Sequence, residues 1–334
     1  MRNKPLINNK DKIFVAGHNG MVGKSILRKL NENSFTNVLV KNREDLDLMN
    51  FELVNKWFLE NKPDVVIISA GKVGGINANN TFPVEFLLNN LKIQNNLIET
   101  SWKTGVKRLL FLGSSCIYPK FATQPIKEEE LLTGELENTN QWYAIAKISG
   151  IKLCEALRSQ YNFDAISLMP TNLYGPGDNY SYSDSHVLPA LIRKFWEAKQ
   201  NSSKSVTCWG TGLPRREFLY VDDLAEAVIY ALRNWDPSLP DAPKDTKNKK
   251  LNFLNVGTGK DISIKELANL ISSEVGFTGE INWDSTKPDG TPRKQLDISN
   301  IQNLGWEPKV SLTEGIKESV ISFEKELKDN NLRV

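Results

Sequence analysis

Cysteine and histidine are scarce in this 334-residue chain, which holds three of the first and two of the second. Cys116, Cys154 and Cys208 are odd in number and no two share a C-x-x-C spacing, so the pattern excludes a disulfide framework and offers no metal-ligand set. Free thiols and no metal are expected. No run approaches the roughly 18 uncharged apolar residues of a membrane span. The opening "MRNKPLINNKDK" lacks the apolar stretch of a secretory signal, and a cytoplasmic location without a membrane partner is expected. An excess of either charge is missing too. The 42 basic and 40 acidic residues leave a formal charge of +2 and are mixed along the chain, so no footprint for nucleic acid is present. An anionic partner would be small and bound locally. Core-forming residues are sparse in one stretch, "DPSLPDAPKDTKNKK", which reads as a polar loop with no assignable function.

The apolar 40% of the chain is ample for two compact cores. Short apolar runs alternate with helix-period segments: "KIFVAG" then "VGKSILRKLNE", "DVVIISAG" then "VEFLLNNLKIQNNLIETSWKTG", "RLLFLGSS" then "YAIAKISGIKLCEALRSQ", and finally "DAISLMP". Runs without interleaved polar residues fit strands covered on both faces, the mark of a parallel sheet in βαβ units. The expected fold is α/β, a Rossmann-type doubly wound parallel sheet with a smaller C-terminal α/β substrate-binding domain. Residues 1–170 would form the nucleotide-binding domain, with 217–235 returning to it, and 171–216 with 250–328 would form the substrate domain.

Gly17, Gly20 and Gly23 lie between the first strand and the first helix in "AGHNGMVG". A tight turn, a close backbone approach to a pyrophosphate and close helix packing each need a residue without a side chain, and the helix N-terminus offers amide donors to phosphate. Asn19, Met21 and Val22 belong to the same loop, and His18 reads as a shaping residue. The second strand ends at Lys41, Asn42 and Arg43, where a basic residue suits the 2′-phosphate of NADP rather than the 2′-hydroxyl of NAD. A solvated charged loop is the alternative, since Glu44 and Asp45 follow directly. Tyr143 and Lys147 are four apart at the start of a helix and share a face. An ammonium there would lower the phenol's pKa and hold a nicotinamide ribose. Taken alone the pair is also common surface decoration, but the strand ending in Ser114 and Ser115 supplies a hydroxyl for the same carbonyl.

These elements, with "KVGGINANNTFP", "LGSSCIYPK", "MPTNLYGPGDN", "SHVLPALIRKF", "WGTGLPRREFLYVDD" and "KPDGTPRKQLD", resemble the extended short-chain dehydrogenases/reductases of the nucleotide-sugar branch, and within it the GDP-L-fucose synthases. The resemblance runs from about residue 12 to about 325. It implies epimerisation of GDP-4-keto-6-deoxy-D-mannose at C3 and C5 followed by NADPH-dependent reduction at C4, by a homodimer. It implies catalytic roles for Ser114, Cys116, Tyr143, Lys147 and His186. Cys116 and His186 would be the acid–base pair, because both carbons lie next to the carbonyl and an inversion takes a proton from one face and returns one to the other. By itself Cys116 reads as a small buried hydrophobe, and His186 as a residue near a helix start. Leu112, Gly113, Ser115, Pro170, Asn172 and Leu173 would border the cofactor together with Lys147 and His186. Lys194, Trp209, Arg216 and Asp289 would contact the GDP-sugar. Read singly, Lys194 fits a wet helix face, Trp209 a core position and Asp289 a turn. Asn19 replaces an arginine that family members often carry, so relaxed selectivity between NADP and NAD is expected. A sibling nucleotide-sugar epimerase or 4-reductase acting on another sugar is the alternative within the class.

Overall fold

The computed structural model of the chain describes residues 5–287 and 289–334. In the first half strands and helices alternate as β1 (Ile13–Ala16), α1 (Met21–Glu32), β2 (Val38–Leu39), α2 (Phe51–Asn61), β3 (Val65–Ile68), α3 (Ile76–Thr81), α4 (Pro83–Lys103), β4 (Arg108–Leu112), α5 (Gln141–Tyr161) and β5 (Ala165–Pro170). All residues of β1, β3, β4 and β5 are buried, because helices cover both faces of the sheet they form. This explains why each run reads as continuously apolar.

The later chain runs through β6 (Asn172–Tyr174), α6 (Val187–Gln200), β7 (Ser205–Trp209), β8 (Arg215–Tyr220), α7 (Val221–Asn234), β9 (Phe253–Val256), β10 (Asp261–Ser263), α8 (Ile264–Val275), β11 (Glu280–Asp284), β12 (Arg293–Lys294), α9 (Ser299–Asn303) and α10 (Leu312–Lys328). The central sheet has six parallel strands in the order β2-β1-β3-β4-β5-β9. Strand order reverses between β1 and β3, so loops at the carboxyl ends of those strands diverge and open a crevice, the place where such sheets bind ligands. A second sheet is built on β8, with β10 antiparallel and β12 and β6 parallel to it, and β7 pairs separately with β11. Leu188, Ile192 and Phe195 of α6 pack with Ile271 of α8 and Phe323 of α10 into a second core.

One part of the expected organisation changes. The 217–235 segment returns only its helix, α7, which packs on α1, whereas β8 belongs to the second sheet. The sixth central strand is β9, from the region expected in the substrate domain. Its sequence, Phe-Leu-Asn-Val, is broken by Asn255, a polar residue that is fully buried because its side chain is satisfied. Asn255 accepts from Tyr118 Oη at 2.5 Å and donates to the carbonyls of Ile126 and Asp297.

Candidate active site

The loop between β1 and α1 has the shape a dinucleotide needs. Gly17 adopts φ +88°, and a Cβ there would lie 2.6 Å from the Ala70 amide nitrogen beyond β3. A Cβ on Gly23 would lie 2.1 Å from the Gly17 carbonyl oxygen, so helix and turn meet too closely for any side chain. Gly20 caps α1 without a side-chain hydrogen bond, so no capping side chain takes up the first amides of the helix, those of Met21 and Val22 among them. Asn19 Nδ2 donates to Asn42 Oδ1 at 2.9 Å, which ties this loop to the end of β2, where Lys41 and Arg43 are exposed. The residues fit a nicotinamide dinucleotide.

At the carboxyl end of β4 the chain turns sharply into the stretch that carries the chemistry. Gly113 is enclosed: its amide bonds the Leu168 carbonyl at 2.9 Å, and a Cβ would meet Met169 Sδ at 2.4 Å. Ser114 then caps a single helical turn, its Oγ accepting from the Cys116 amide at 3.2 Å, which fixes the half-buried Cys116 side chain beside it. Tyr143, on the first turn of α5, is 8% exposed and packs edge-on against Phe86 of α4 at 6.3 Å between ring centroids. The Ser114 hydroxyl lies within hydrogen-bonding reach of both the phenol and the thiol. Lys147, one turn along α5, donates to the Leu112 carbonyl at 2.9 Å over the Phe111 ring.

The electrostatics depart from expectation at one point. Lys147 was expected to pull the Tyr143 pKa down; instead desolvation and the neighbouring Cys116 push it up, opposed only by Ser114. Desolvation also lowers Lys147 to about 8. The reason is geometric, since Lys147 Nζ turns to a backbone carbonyl and sits 5.8 Å from the Tyr143 ring centroid. The phenol is therefore firmly protonated, the state a proton donor requires.

Cys116 departs from the small-hydrophobe reading. Its burial raises the thiol pKa, but Lys294, Ser114 and Arg216 together outweigh this and lower it. Lys294 Nζ stands 3.5 Å from Cys116 Sγ. Cys154 and Cys208 are the buried core thiols expected of them, at 1% and 3% exposure. His186, the N-cap of α6, is exposed to solvent, and desolvation by its neighbours with the charge of Lys294 shifts its pKa downward, toward the neutral ring. Lys294 thus lies within electrostatic reach of both Cys116 and His186, which places them in one site. The segment before His186 is held by the stretch after β3: the Gly75 amide bonds the Asp184 carbonyl at 2.8 Å, and a Cβ on Gly75 would meet the Ser185 carbonyl oxygen at 2.6 Å. This gives "KVGGINAN" a physical reason.

The expected substrate contacts form a second group. Arg216 on β8 spans the two, feeling the charge of Cys116 on one side and of Asp289 on the other. Asp289 is more than a turn former, since its carboxylate accepts from the Thr211 amide at 3.0 Å and hydroxyl at 2.7 Å. Trp209 is not core: it is 68% exposed, with Lys287 Nζ 5.6 Å above its ring. Lys194 donates to the Thr207 carbonyl at 2.9 Å, two residues away along β7. An exposed aromatic face beside two lysines suits a base and a phosphate. Pro170 ends β5, and Asn172 and Leu173 follow in β6, where Asn172 Nδ2 bonds the Glu217 carbonyl at 2.7 Å.

Lys294 was missed. It stands between Arg293 and Gln295 in a run that reads as solvated, and only the register of β12, which sets Lys294 opposite Arg216, shows where it points.

Comparison with known proteins agrees with this geometry. Residues 13–242 match the model of the NAD dependent epimerase/dehydratase family. GDP-L-fucose synthase 1 of Arabidopsis thaliana is 54% identical over 308 residues, 92% of this chain and 91% of the relative. Among solved structures, a GDP-6-OMe-4-keto-L-xylo-heptose reductase from C. jejuni superposes with a TM-score of 0.89 at 38% identity, covering 96% of this chain and 99% of that one. A GDP-L-fucose synthetase from Naegleria fowleri bound to NADP gives a TM-score of 0.86 at 26% identity over 100% and 99% of the two chains. With the glycine cradle, the Ser114–Tyr143–Lys147 centre and this identity over almost the full length of both chains, the protein belongs to the NAD dependent epimerase/dehydratase family, among its GDP-L-fucose synthases.

Proposed function

We propose that the chain converts GDP-4-keto-6-deoxy-D-mannose to GDP-L-fucose, inverting C3 and C5 and then reducing C4 with NADPH. The observation that carries this reading is the pairing of a cation-flanked thiol, Cys116, with an imidazole, His186, around a Ser114–Tyr143 hydroxyl pair. A pure 4-reductase needs the hydroxyls and has no use for the acid–base pair.

Removal of a proton from C3 or C5 places negative charge on O4, where Ser114 and Tyr143 stand as preset donors. Cys116 and His186 share one labile proton; abstraction by one and delivery by the other moves it across the pair, and exchange with water resets them for the second carbon. Lys294 stabilises the thiolate and disfavours the imidazolium, so its single charge acts on both ends of that transfer. Tyr143, held protonated by burial, then gives its proton to O4. Lys147 would hold the ribose next to the ring that, when bound, supplies the hydride. Arg43 and Lys41 favour NADPH, and Asn19, tied to Asn42, leaves room for some use of NADH.

Arg216, Asp289, Trp209 and Lys194 would receive the GDP moiety. The reading extends to a homodimer formed through α4 and α5, supported by the exposed apolar side chains Val84, Leu88, Trp142 and Ile145 on those helices. It also extends to a cytoplasmic location, supported by three unpaired cysteines.

Product analysis tests the proposal: the wild type with GDP-4-keto-6-deoxy-D-mannose and NADPH yields GDP-L-fucose, while Cys116→Ser yields a C4-reduced sugar with C3 and C5 unchanged. A wild-type product with uninverted C3 and C5 would select the sibling 4-reductase instead.

A further inference from the structure

Glu217 lies in the middle of β8, is 0% exposed and has no lysine or arginine among the partners its carboxylate bonds. A buried carboxylate is costly unless its lone pairs are filled, and here backbone amides fill most of them, with the Thr171 hydroxyl beside them. Oε1 accepts from the amides of Thr258 and Gly259 at 2.6 and 2.8 Å, and Oε2 from the amide of Leu296 at 2.7 Å. Space for this is made by Gly257, where a Cβ would lie 2.1 Å from Oε1. One carboxylate therefore joins three segments: β8, the turn after β9, and the strand that begins with β12.

Two neighbours of these bonds are the cations of the acid–base site. Arg216 is adjacent to Glu217 in β8, and Lys294 is two residues before Leu296. β12 is only two residues long, with Lys294 set opposite Arg216, so its own ladder is short and the Glu217–Leu296 bond extends it. We propose that Glu217 is a positioning residue of the Cys116 site, its carboxylate clamping the backbone so that Lys294 and Arg216 are both presented to the thiol. An amide of the same shape cannot replace it: glutamine keeps one acceptor and turns a donor toward an amide that also donates. The groups facing Cys116 are Lys294 and Arg216 from the second sheet, Tyr143 from α5 and Ser114 on its own loop, and the charge of Lys294 also reaches His186.

The consequence for turnover rests on the function proposed above, but the clamp is tested without substrate, so the two can fail separately. Iodoacetamide is reacted with the full-length protein across pH and the Cys116 peptide is quantified by mass spectrometry. Cys154 and Cys208 are too buried to compete. Glu217→Gln should raise the midpoint of Cys116 alkylation by about one pH unit, slowing it about tenfold near neutrality. Gly257→Ala, which displaces the carboxylate while keeping its charge, should shift the midpoint the same way. Lys294→Met should raise it as well, and adding Glu217→Gln to Lys294→Met should raise it by less than Glu217→Gln does alone, since only the part acting through Arg216 remains. A wild-type midpoint in folded Glu217→Gln overturns the proposal, as does full additivity with Lys294→Met. If Glu217→Gln does not fold, Gly257→Ala decides: an unchanged midpoint there overturns it too.

Discussion

At the scale of single residues, the site is a set of charges arranged around one thiol. Burial alone would leave Cys116 inert, as it leaves Cys154, whose pKa is pushed up to about 12; what separates the two is a lysine 3.5 Å away, with Ser114 and Arg216 beside it. The cofactor end offers a prediction of the same kind. Arg43→Ala should raise KM for NADPH about tenfold, the worth of a charge-assisted bond to phosphate, and leave KM for NADH unchanged in steady-state kinetics. Equal effects on both cofactors would remove Arg43 from the 2′-phosphate. Ser114, Tyr143 and Lys147 were legible because their spacing follows helix and strand periods. Lys294 was not, since its partner is a cysteine 178 positions away and the link runs through a strand pairing that local pattern does not encode.

At the scale of elements, the loop from β4 to α5 and the strand β9 depend on one another. Glu128 is 3% exposed and accepts from the Asn255 amide at 3.0 Å and from Asn300 Nδ2 at 2.9 Å, beneath the stretch that carries Cys116. Desolvation raises its pKa from 4.5 to about 7. Over that interval the folded protein keeps a proton that the unfolded chain has released, so this group's contribution to stability is full below about pH 4.5 and is lost as pH rises to about 7. Chemical denaturation of wild type and Glu128→Gln across pH 4 to 8 should show a falling component in the wild type that the variant lacks; parallel curves would refute the assignment. Helix α2 offers a simpler case, its N-cap Asn50 accepting from the Leu53 amide at 3.1 Å. Asn50→Ala should cost about 1 kcal/mol in the same measurement. The burial of Asn255 also explains why β9 escaped the sequence reading: a satisfied polar residue in a core strand breaks the apolar run by which such strands are recognised.

At the scale of the whole molecule, two sheets divide the labour. The parallel sheet carries the glycine cradle, Cys116 and the Tyr143 helix on its carboxyl edge, while the second sheet brings Arg216 and Lys294 across to them. The alternation of buried strands and amphipathic helices made the first sheet readable, whereas the second is assembled from strands of two to six residues whose pairing is set by distant contacts. The exposed apolar side chains of α4 and α5 predict a dimer: Trp142→Glu with Ile145→Asp should convert it to monomer in analytical ultracentrifugation, and an unchanged sedimentation profile would place the interface elsewhere. The central claim is that one site performs both inversion and reduction. It is tested most directly by turnover of GDP-4-keto-6-deoxy-D-mannose with NADPH in deuterium oxide, reading label at C3 and C5 by NMR. The account predicts deuterium at both carbons in the wild type and at neither in Cys116→Ser; NADPH consumption by the wild type with no label at either carbon would contradict it.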